Sequence, residues 1–171
     1  MPYDAAEALS LRTIGLLTRG ALHEIANPLV GLVGSAELAL GEAEPDSKLH
    51  ERITLTHRTG TEIAGIVRAL QAFIRLQDMP AGQLSLGEAA AEAVTLVDLV
   101  LPTHDVTLTA AGDAIVVAAP GPVRCSLVEL LVDALERSNS KGTIALAVRV
   151  EGGDAVVAAT GGGEFRLPAR V

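Results

Sequence analysis

The sequence has few aromatic residues, no tryptophan and fewer basic than acidic side chains. Aromatic residues make up 2% of the 171 residues, and 13 lysines and arginines stand against 21 aspartates and glutamates, for a formal net charge of −8. Nucleic-acid binding relies on clustered basic side chains and often on stacking rings. The composition therefore argues against a nucleic-acid partner and favours a protein partner.

Long apolar runs and cysteine pairs are also missing. The longest uncharged stretch, from Ile25 to Ala36, is far shorter than the roughly 20 apolar residues of a membrane-spanning helix. No basic start followed by an apolar region and a small-residue cleavage site is visible. The single Cys125 cannot form an internal disulfide, and its helical apolar surroundings predict a buried, unreactive thiol. We therefore expect a cytoplasmic protein with no membrane partner.

Apolar periodicity predicts a long helix over about residues 5–40. Its apolar stripe, with steps of mostly three and four, consists of Leu11, Ile14, Leu22, Ile25, Leu29, Leu32, Ala36 and Leu40. The stretch GEAEPDS, residues 41–47, then breaks the pattern and offers Asp46 or Ser47 as the N-cap of a second helix.

The second helix has a heptad pattern from Leu49 to Ile74, which favours coiled-coil-like packing. Both helices would be about 40 to 50 Å long. Two helices cannot cover apolar stripes of that length by themselves. We therefore predict a helical hairpin that pairs with its own copy around a two-fold axis, making a homodimeric four-helix bundle.

The remainder predicts a small layered α/β domain. After DMPAGQ, residues 78–83, the pattern indicates a helix, two strands, a second helix and two more strands, over residues 86–101, 106–110, 115–119, 122–137, 143–150 and 155–159. The predicted fold class is α+β, with a helical-hairpin domain over residues 1–78 and an α/β domain over residues 84–171.

The segment ALHEIANPLV carries the candidate site. On a helix, His23 lies about 160° from Ile25, so it faces away from the apolar stripe. Pro28 has no amide hydrogen to donate to the carbonyl of Glu24, which predicts a kink. Asn27 lies one turn after His23 on the same face. Glu24 can orient the imidazole or accept a proton from one ring nitrogen, which leaves the other nitrogen as a nucleophile.

The run HEIANPLVGLVGSAELAL, starting at His23, resembles the phosphoacceptor box of the dimerisation and phosphotransfer domain of two-component sensor histidine kinases. The end of the second helix, IVRALQAFIRLQ, is similar to the second helix of that domain. The rest of the chain resembles the family's ATP-binding domain more weakly. The resemblance implies that His23 is phosphorylated, that Glu24 assists transfer and that Asn27 positions a water for dephosphorylation of a partner.

The same resemblance implies a partner. The first helix would dock a response-regulator receiver domain whose aspartate exchanges the phosphoryl group with His23. We expect Arg19, Gly20, Pro28 and Gly31 to contact it. The receiver would bring its own Mg²⁺, and an upstream hybrid kinase is a further candidate partner.

The ATP-binding motifs of the family are altered. Where an active kinase has two asparagines four residues apart, this chain has Glu129 and Asp133 in LVELLVDALERS. Ala159 or Thr160 stands where the family has the acid that recognises adenine. Only eight residues follow Gly163, too few for a nucleotide lid. We therefore expect no bound ATP and no cofactor. Whether Glu129 and Asp133 keep any Mg²⁺ binding, and whether the chain is a fragment that lacks its lid, stays open.

A phosphoacceptor hairpin joined to a degenerate ATPase-like domain resembles the dimeric histidine phosphotransferases of sporulation and of alphaproteobacterial cell-cycle relays. The expected function is passage of a phosphoryl group between receiver aspartates through His23. The alternatives are a divergent autokinase, a response-regulator phosphatase and a non-catalytic receiver scaffold. His50, His57 and His104 show no metal-ligand spacing, and Asn27 replaces the last histidine of an HExxH zinc motif.

Overall fold

A computed structural model of the chain describes residues 5–101, 105–138 and 141–169, with side chains from residue 14 onward except at residue 16. In chain order the elements are α1 (Ala5–Glu42), α2 (Lys48–Leu76), β1 (Gly82–Ser85), α3 (Leu86–Val100), β2 (Val106–Ala111), β3 (Ile115–Ala118), α4 (Pro120–Arg137), β4 (Gly142–Glu151), β5 (Asp154–Ala159) and β6 (Glu164–Pro168). The chain divides into two compact units, of which the first ends at Ile74 and the second begins at Arg75.

The first unit contains the two long helices. Ser47 is the N-cap of α2, because its Oγ accepts a hydrogen bond from the amide of His50 at 3.0 Å. The preceding Asp46 has a positive φ of 63°. The predicted end of α1 was too early, since the helix continues from Leu40 through Glu42. No helix among the described residues combines the length and apolar character that crossing a membrane requires.

α1 and α2 pack antiparallel. The side chain of Gln71 contacts the backbone of Leu22, and Gly60 lies against Val33. Contacts therefore move back along α1 as they move forward along α2. A Cβ added at Gly60 would lie 3.0 Å from Cγ2 of Val33, so the glycine permits the close approach of the helices.

The predicted stripe of α1 divides into two neighbouring rows. One row, Leu22, Leu29 and Ala36, has residues seven apart and is buried. The other row includes Ile25 and Leu32, which remain 46% and 47% exposed in the single chain. The side chain of Leu11 lies outside the described residues. The hairpin therefore covers about half of the stripe that the sequence predicts as one seam.

The second unit packs two helices against one face of a sheet. Its mixed sheet has the order β2-β4-β5-β6, with β2 and β4 parallel and the other neighbours antiparallel. Alternate residues of β4 face the helices and join the core, where Leu127 and Leu131 of α4 are fully buried. The inward residues of β4 are Ile144, Leu146 and Val148.

Two strands were not predicted from the sequence. β1 is a four-residue strand, GQLS, that pairs antiparallel with β3. β6, EFRLP, pairs antiparallel with β5 and carries charged side chains on its outer face. Neither segment has an apolar alternation long enough to indicate a strand. α4 also starts at Pro120 rather than at residue 122, with proline at its first position.

Charged side chains cover an apolar residue on the outer face of this sheet. Val156 is fully buried, although it lies on the face away from the helices. The strand register places it between Arg149 and Arg166. Arg166 donates to Glu151 and Glu164, and Arg149 donates to the same two carboxylates. The aliphatic parts of the arginines can shield Val156 while their charged ends stay in water.

Candidate functional site

His23 is exposed on α1, as its position relative to the apolar stripe predicts. Glu24, Asn27 and Pro28 are also exposed. Because residues four apart lie on the same helix face, Asn27 stands one turn from His23. α1 continues as one helix through Pro28. The missing proline amide leaves the carbonyl of Glu24 without its usual helical donor, and the predicted kink stays a prediction.

A small apolar cluster packs on the side of this turn that contacts α2. Leu22, which precedes His23, is 8% exposed and packs with Leu29 and with Val67 of α2. The partly buried members of the cluster are Ala26, Leu70 and Ile74. The cluster therefore holds one side of the turn while the other side presents the imidazole to solvent.

One polar contact also joins α2 to this turn, and it was not predicted from the sequence. Nε2 of the half-buried Gln71 donates to the carbonyl oxygen of Leu22 at 3.2 Å. The sequence signal that could have suggested it is a glutamine directly after Leu70, a position of the α2 heptad. The heptad shows that the residue lies near the seam, but the partner depends on how the helices are rotated.

The residues expected to contact a partner lie along the same helix. Arg19, Gly20 and Gly31 are exposed, like Pro28. A Cβ at Gly20 or Gly31 would meet no atom within 4 Å in the described part of the chain. Packing within this chain therefore does not require a glycine at either position.

In the second unit, α4 and β6 border an open cavity of about 370 Å³. Glu129 and Asp133 line it, as does Glu164, together with Ser126, Leu130 and Phe165. Asp133 forms an ion pair with Arg137 at 2.7 Å. None of the described lining residues is a lysine or an arginine, although Arg149 and Arg166 form ion pairs with Glu164 beside the cavity.

The glycine triplet after β5 forms a turn. The amide of Ala159 donates to the carbonyl of Gly163 at 3.1 Å, which closes the turn into β6. Gly161 takes a positive φ of 70° there. Thr160 uses its hydroxyl on the backbone of Ala145 in β4. These groups are therefore engaged in joining strands.

In the described part of the chain, Cys125, His50 and His57 do not form a second site. Cys125 is half-buried, and burial raises the pKa of its thiol, which disfavours the reactive thiolate. Within residues 14–101, 105–138 and 141–169, no three side chains of His, Cys, Asp or Glu come together as a metal site would require. His104 lies outside these residues.

No family model and no curated protein matches the sequence. Among solved structures, the chain is similar to full-length ShkA in complex with AMPPNP, with 18% identity and a TM-score of 0.49 over 84% of this chain and 32% of that one. It is similar to a bacterial phosphotransferase, with 18% identity and a TM-score of 0.47 over 92% and 68% of the two chains. It is also similar to histidine kinase ThkA in complex with response regulator protein TrrA, with 15% identity and a TM-score of 0.42 over 89% and 46%.

The chain thus spans about a third of ShkA and less than half of ThkA.

Proposed function

We propose that the chain is a homodimeric histidine phosphotransferase, which passes a phosphoryl group between receiver-domain aspartates through His23 without using ATP. The observation that carries the proposal is the exposure of His23 on a helix turn whose packed side is held by Leu22 and Leu29. An exposed imidazole on a supported backbone can reach a partner's active site with little reorganisation.

The transfer step uses residues of α1. A ring nitrogen of His23 attacks the phosphorus of a receiver's phosphoaspartate, so that an N–P bond forms as the P–O bond to the aspartate breaks. The aspartate leaves as a carboxylate, and Glu24 can accept the proton on the other ring nitrogen. The reverse attack by a second receiver's aspartate returns the imidazole. Mg²⁺ held by the receiver would offset the negative charge on the phosphoryl oxygens.

The receiver would dock along α1 on both sides of the histidine. Gly20 and Gly31 are exposed and have no neighbour that explains the lack of a side chain. A partner surface that approaches the helix backbone closely would explain both glycines. Arg19 and Pro28 would lie within the same contact area.

The acidic cavity of the second unit supports transfer without ATP. Glu129, Asp133 and Glu164 place carboxylates around this cavity, and carboxylates repel a triphosphate. Ion pairs of Asp133 with Arg137, and of Glu164 with Arg149 and Arg166, weaken that repulsion without removing it. Mg²⁺ can bind carboxylates. The arginines beside the cavity are already paired with carboxylates, which disfavours their use in holding nucleotide phosphates. The function of this unit would then be to contribute contact surface for the receiver.

A second copy of the chain would cover the exposed apolar row of the hairpin. Ile25 and Leu32 of α1, and Leu49 and Ile63 of α2, are 46%, 47%, 60% and 41% exposed. They lie next to the buried heptad row, so two hairpins can close a common core as a four-helix bundle. His23 lies about 160° from Ile25 and would stay accessible.

The test is phosphotransfer from a panel of phosphorylated receivers to the wild-type protein, His23→Ala and His57→Ala. His57 is a half-buried histidine of α2 and serves as the matched control. We expect acid-labile phosphohistidine in the wild type and in His57→Ala, and none in His23→Ala. Incubation of the wild type with ATP alone should produce no label.

Three results would overturn the proposal in different ways. Self-labelling from ATP that disappears in His23→Ala would identify an autokinase. Loss of receiver phosphate without any phosphohistidine would identify a phosphatase. Unchanged relay output with His23→Ala would identify a scaffold.

A further inference from the structure

We infer that Gln71 is a positioning residue for His23, acting through its hydrogen bond to the backbone of α1. The inference rests on the proposed function, because it concerns how the phosphoacceptor turn is held during transfer. Gln71 does not contact the reacting atoms. Its amide reaches the carbonyl oxygen of Leu22, the residue immediately before His23, at 3.2 Å.

The bond occurs where α1 is short of one backbone hydrogen bond. Pro28 cannot donate to the carbonyl of Glu24, so the turn that carries His23 has one helical bond fewer than its neighbours. A carbonyl oxygen has two lone pairs, so the oxygen of Leu22 can accept both its helical amide and Gln71. The side chain from α2 thus adds a restraint to the turn that the proline weakens.

The surroundings of Gln71 make this restraint effective. It follows Leu70, which packs against the cluster formed by Leu22, Leu29 and Val67, and its own side chain is half-buried. A hydrogen bond that is partly shielded from water is stronger than one at the surface, and it has a fixed direction. The apolar contacts limit the distance between the helices, whereas the hydrogen bond limits rotation of the α1 turn about its own axis. That rotation sets the direction in which His23 points.

Transfer should respond to this rotation more than binding does. A receiver contacts several turns of α1, so a small change at one turn alters the total contact little. The attack on phosphorus needs the ring nitrogen in line with the breaking bond, and a displacement of about 1 Å can lower such a rate by roughly 100-fold. Loss of Gln71 should therefore reduce the rate at saturating receiver while leaving the half-saturating receiver concentration almost unchanged.

The experiment compares Gln71→Met, which keeps the length of the side chain and removes the donor, with Gln71→Lys, which restores a donor. Gln83→Met makes the same change at an exposed position of β1 and is the matched control. We expect Gln71→Met to lower the saturated transfer rate to His23 by about 10-fold or more. Gln71→Lys should recover most of that rate, and Gln83→Met should resemble the wild type.

A backbone measurement keeps the result interpretable. In Gln71→Met, the carbonyl ¹³C resonance of Leu22 should move to the position expected for a carbonyl that accepts one hydrogen bond. Circular dichroism should show no change in overall folding. An unchanged saturated rate in Gln71→Met would overturn the inference. A lower rate that Gln71→Lys does not recover, or that follows a loss of folding, would also overturn it. Failure of the wild type to become labelled at His23 would instead refute the proposed function and the inference with it.

Discussion

Asn27 and His23 share an exposed helix face, and the two side chains have separable roles in the proposed chemistry. A nucleophile is needed to receive the phosphoryl group, whereas an amide can hold the water that hydrolyses a receiver's phosphoaspartate. We expect Asn27→Ala to keep phosphorylation of His23 within a few-fold of wild type and to slow hydrolysis of the receiver phosphate by about 10- to 100-fold. Following phosphohistidine and inorganic phosphate in the same reaction measures both.

The matched change is Glu24→Gln, which removes the adjacent carboxylate and keeps an amide of similar size. It should slow transfer to His23 more than it slows hydrolysis. If Asn27→Ala abolished phosphohistidine formation and left hydrolysis unchanged, the assignment of the two roles would be wrong.

Gly31 provides a test of the proposed docking surface. A Cβ at this exposed position meets no atom within 4 Å, so Gly31→Ala should stabilise α1 by up to about 1 kcal/mol through helix propensity. The same methyl would keep a receiver surface from approaching the backbone. We expect higher thermal stability together with weaker receiver binding, measured by calorimetry and by titration with the isolated receiver.

Gly41→Ala is the control, because Gly41 is also exposed with open space around it and lies near the far end of α1. It should not change receiver binding. Equal binding by Gly31→Ala and the wild type would remove Gly31 from the docking surface.

At the scale of elements, one carboxylate fixes the start of α3. Oδ1 of Asp113 accepts hydrogen bonds from the hydroxyl of Ser85 at 2.9 Å and from the amides of Gly87 and Ala114 at 2.8 Å. The hydroxyl of Ser85 in turn accepts from the amide of Glu88 at 3.0 Å, as an N-cap does. The negative charge also lies near the positive end of the helix dipole.

These bonds predict how stability depends on pH. The Gly87 amide, followed by the Ser85 hydroxyl, lowers the pKa of Asp113 in the folded protein. The ionised carboxylate of Asp113 therefore makes its full contribution to the free energy of unfolding above the unfolded pKa, which is about 3.9 for aspartate. That contribution is lost as the pH falls through the lower folded pKa. Asp113→Asn should reduce the free energy of unfolding at pH 7 by roughly 1 kcal/mol or less, since it keeps an acceptor but removes the charge.

Denaturant titrations of both proteins between pH 7 and pH 3 measure the effect. The difference between wild type and Asp113→Asn should stay constant down to about pH 5 and shrink below it. Asp105→Asn removes one negative charge from another exposed aspartate of the same unit and controls for net charge. A difference that persists unchanged at pH 3 would contradict the assigned role of the ionised carboxylate.

The elements differ in how far the sequence could predict them. The long helices and α3 have a local apolar period, so their positions follow from residues a few places apart. β1 is four residues long and exists because it pairs with β3, whose partner residues lie 30 to 36 positions later, and β6 depends on its pairing with β5. Such strands are stabilised by partners that a short window of sequence does not contain.

The candidate site shows the same division. The exposure of His23 followed from its angle to the apolar stripe, because a helix fixes that angle within one element. The contact of Gln71 with Leu22 could not be predicted, since it joins residues 49 positions apart on two helices whose relative rotation the sequence pattern leaves open. Within one helix, the apolar period determines the direction in which a side chain points. Which residues of two helices meet depends on how the helices pack.

At the scale of the whole molecule, the hairpin has more apolar surface than one chain covers. Ile25 and Leu32 of α1 stay 46% and 47% exposed, next to the buried row of Leu22 and Leu29. Ile63 of α2 stays 41% exposed. Two adjacent apolar rows are typical of helices in a four-helix bundle, where each helix contacts two neighbours. Association should therefore contribute to the stability of the hairpin, and the unfolding temperature should rise with protein concentration.

Ile63→Glu and Leu32→Glu test this association directly, because each places a carboxylate in the proposed core of the bundle. We expect both variants to sediment as monomers at concentrations where the wild type is a dimer, and to unfold at a lower temperature that depends less on concentration. Thr61→Glu introduces the same charge at an exposed position of α2 and should remain dimeric. A wild type that sediments as a monomer at high concentration, or an Ile63→Glu variant that stays dimeric, would show that this row does not join two copies. Loss of dimer without loss of transfer to His23 would in turn show that one hairpin is sufficient to present the imidazole.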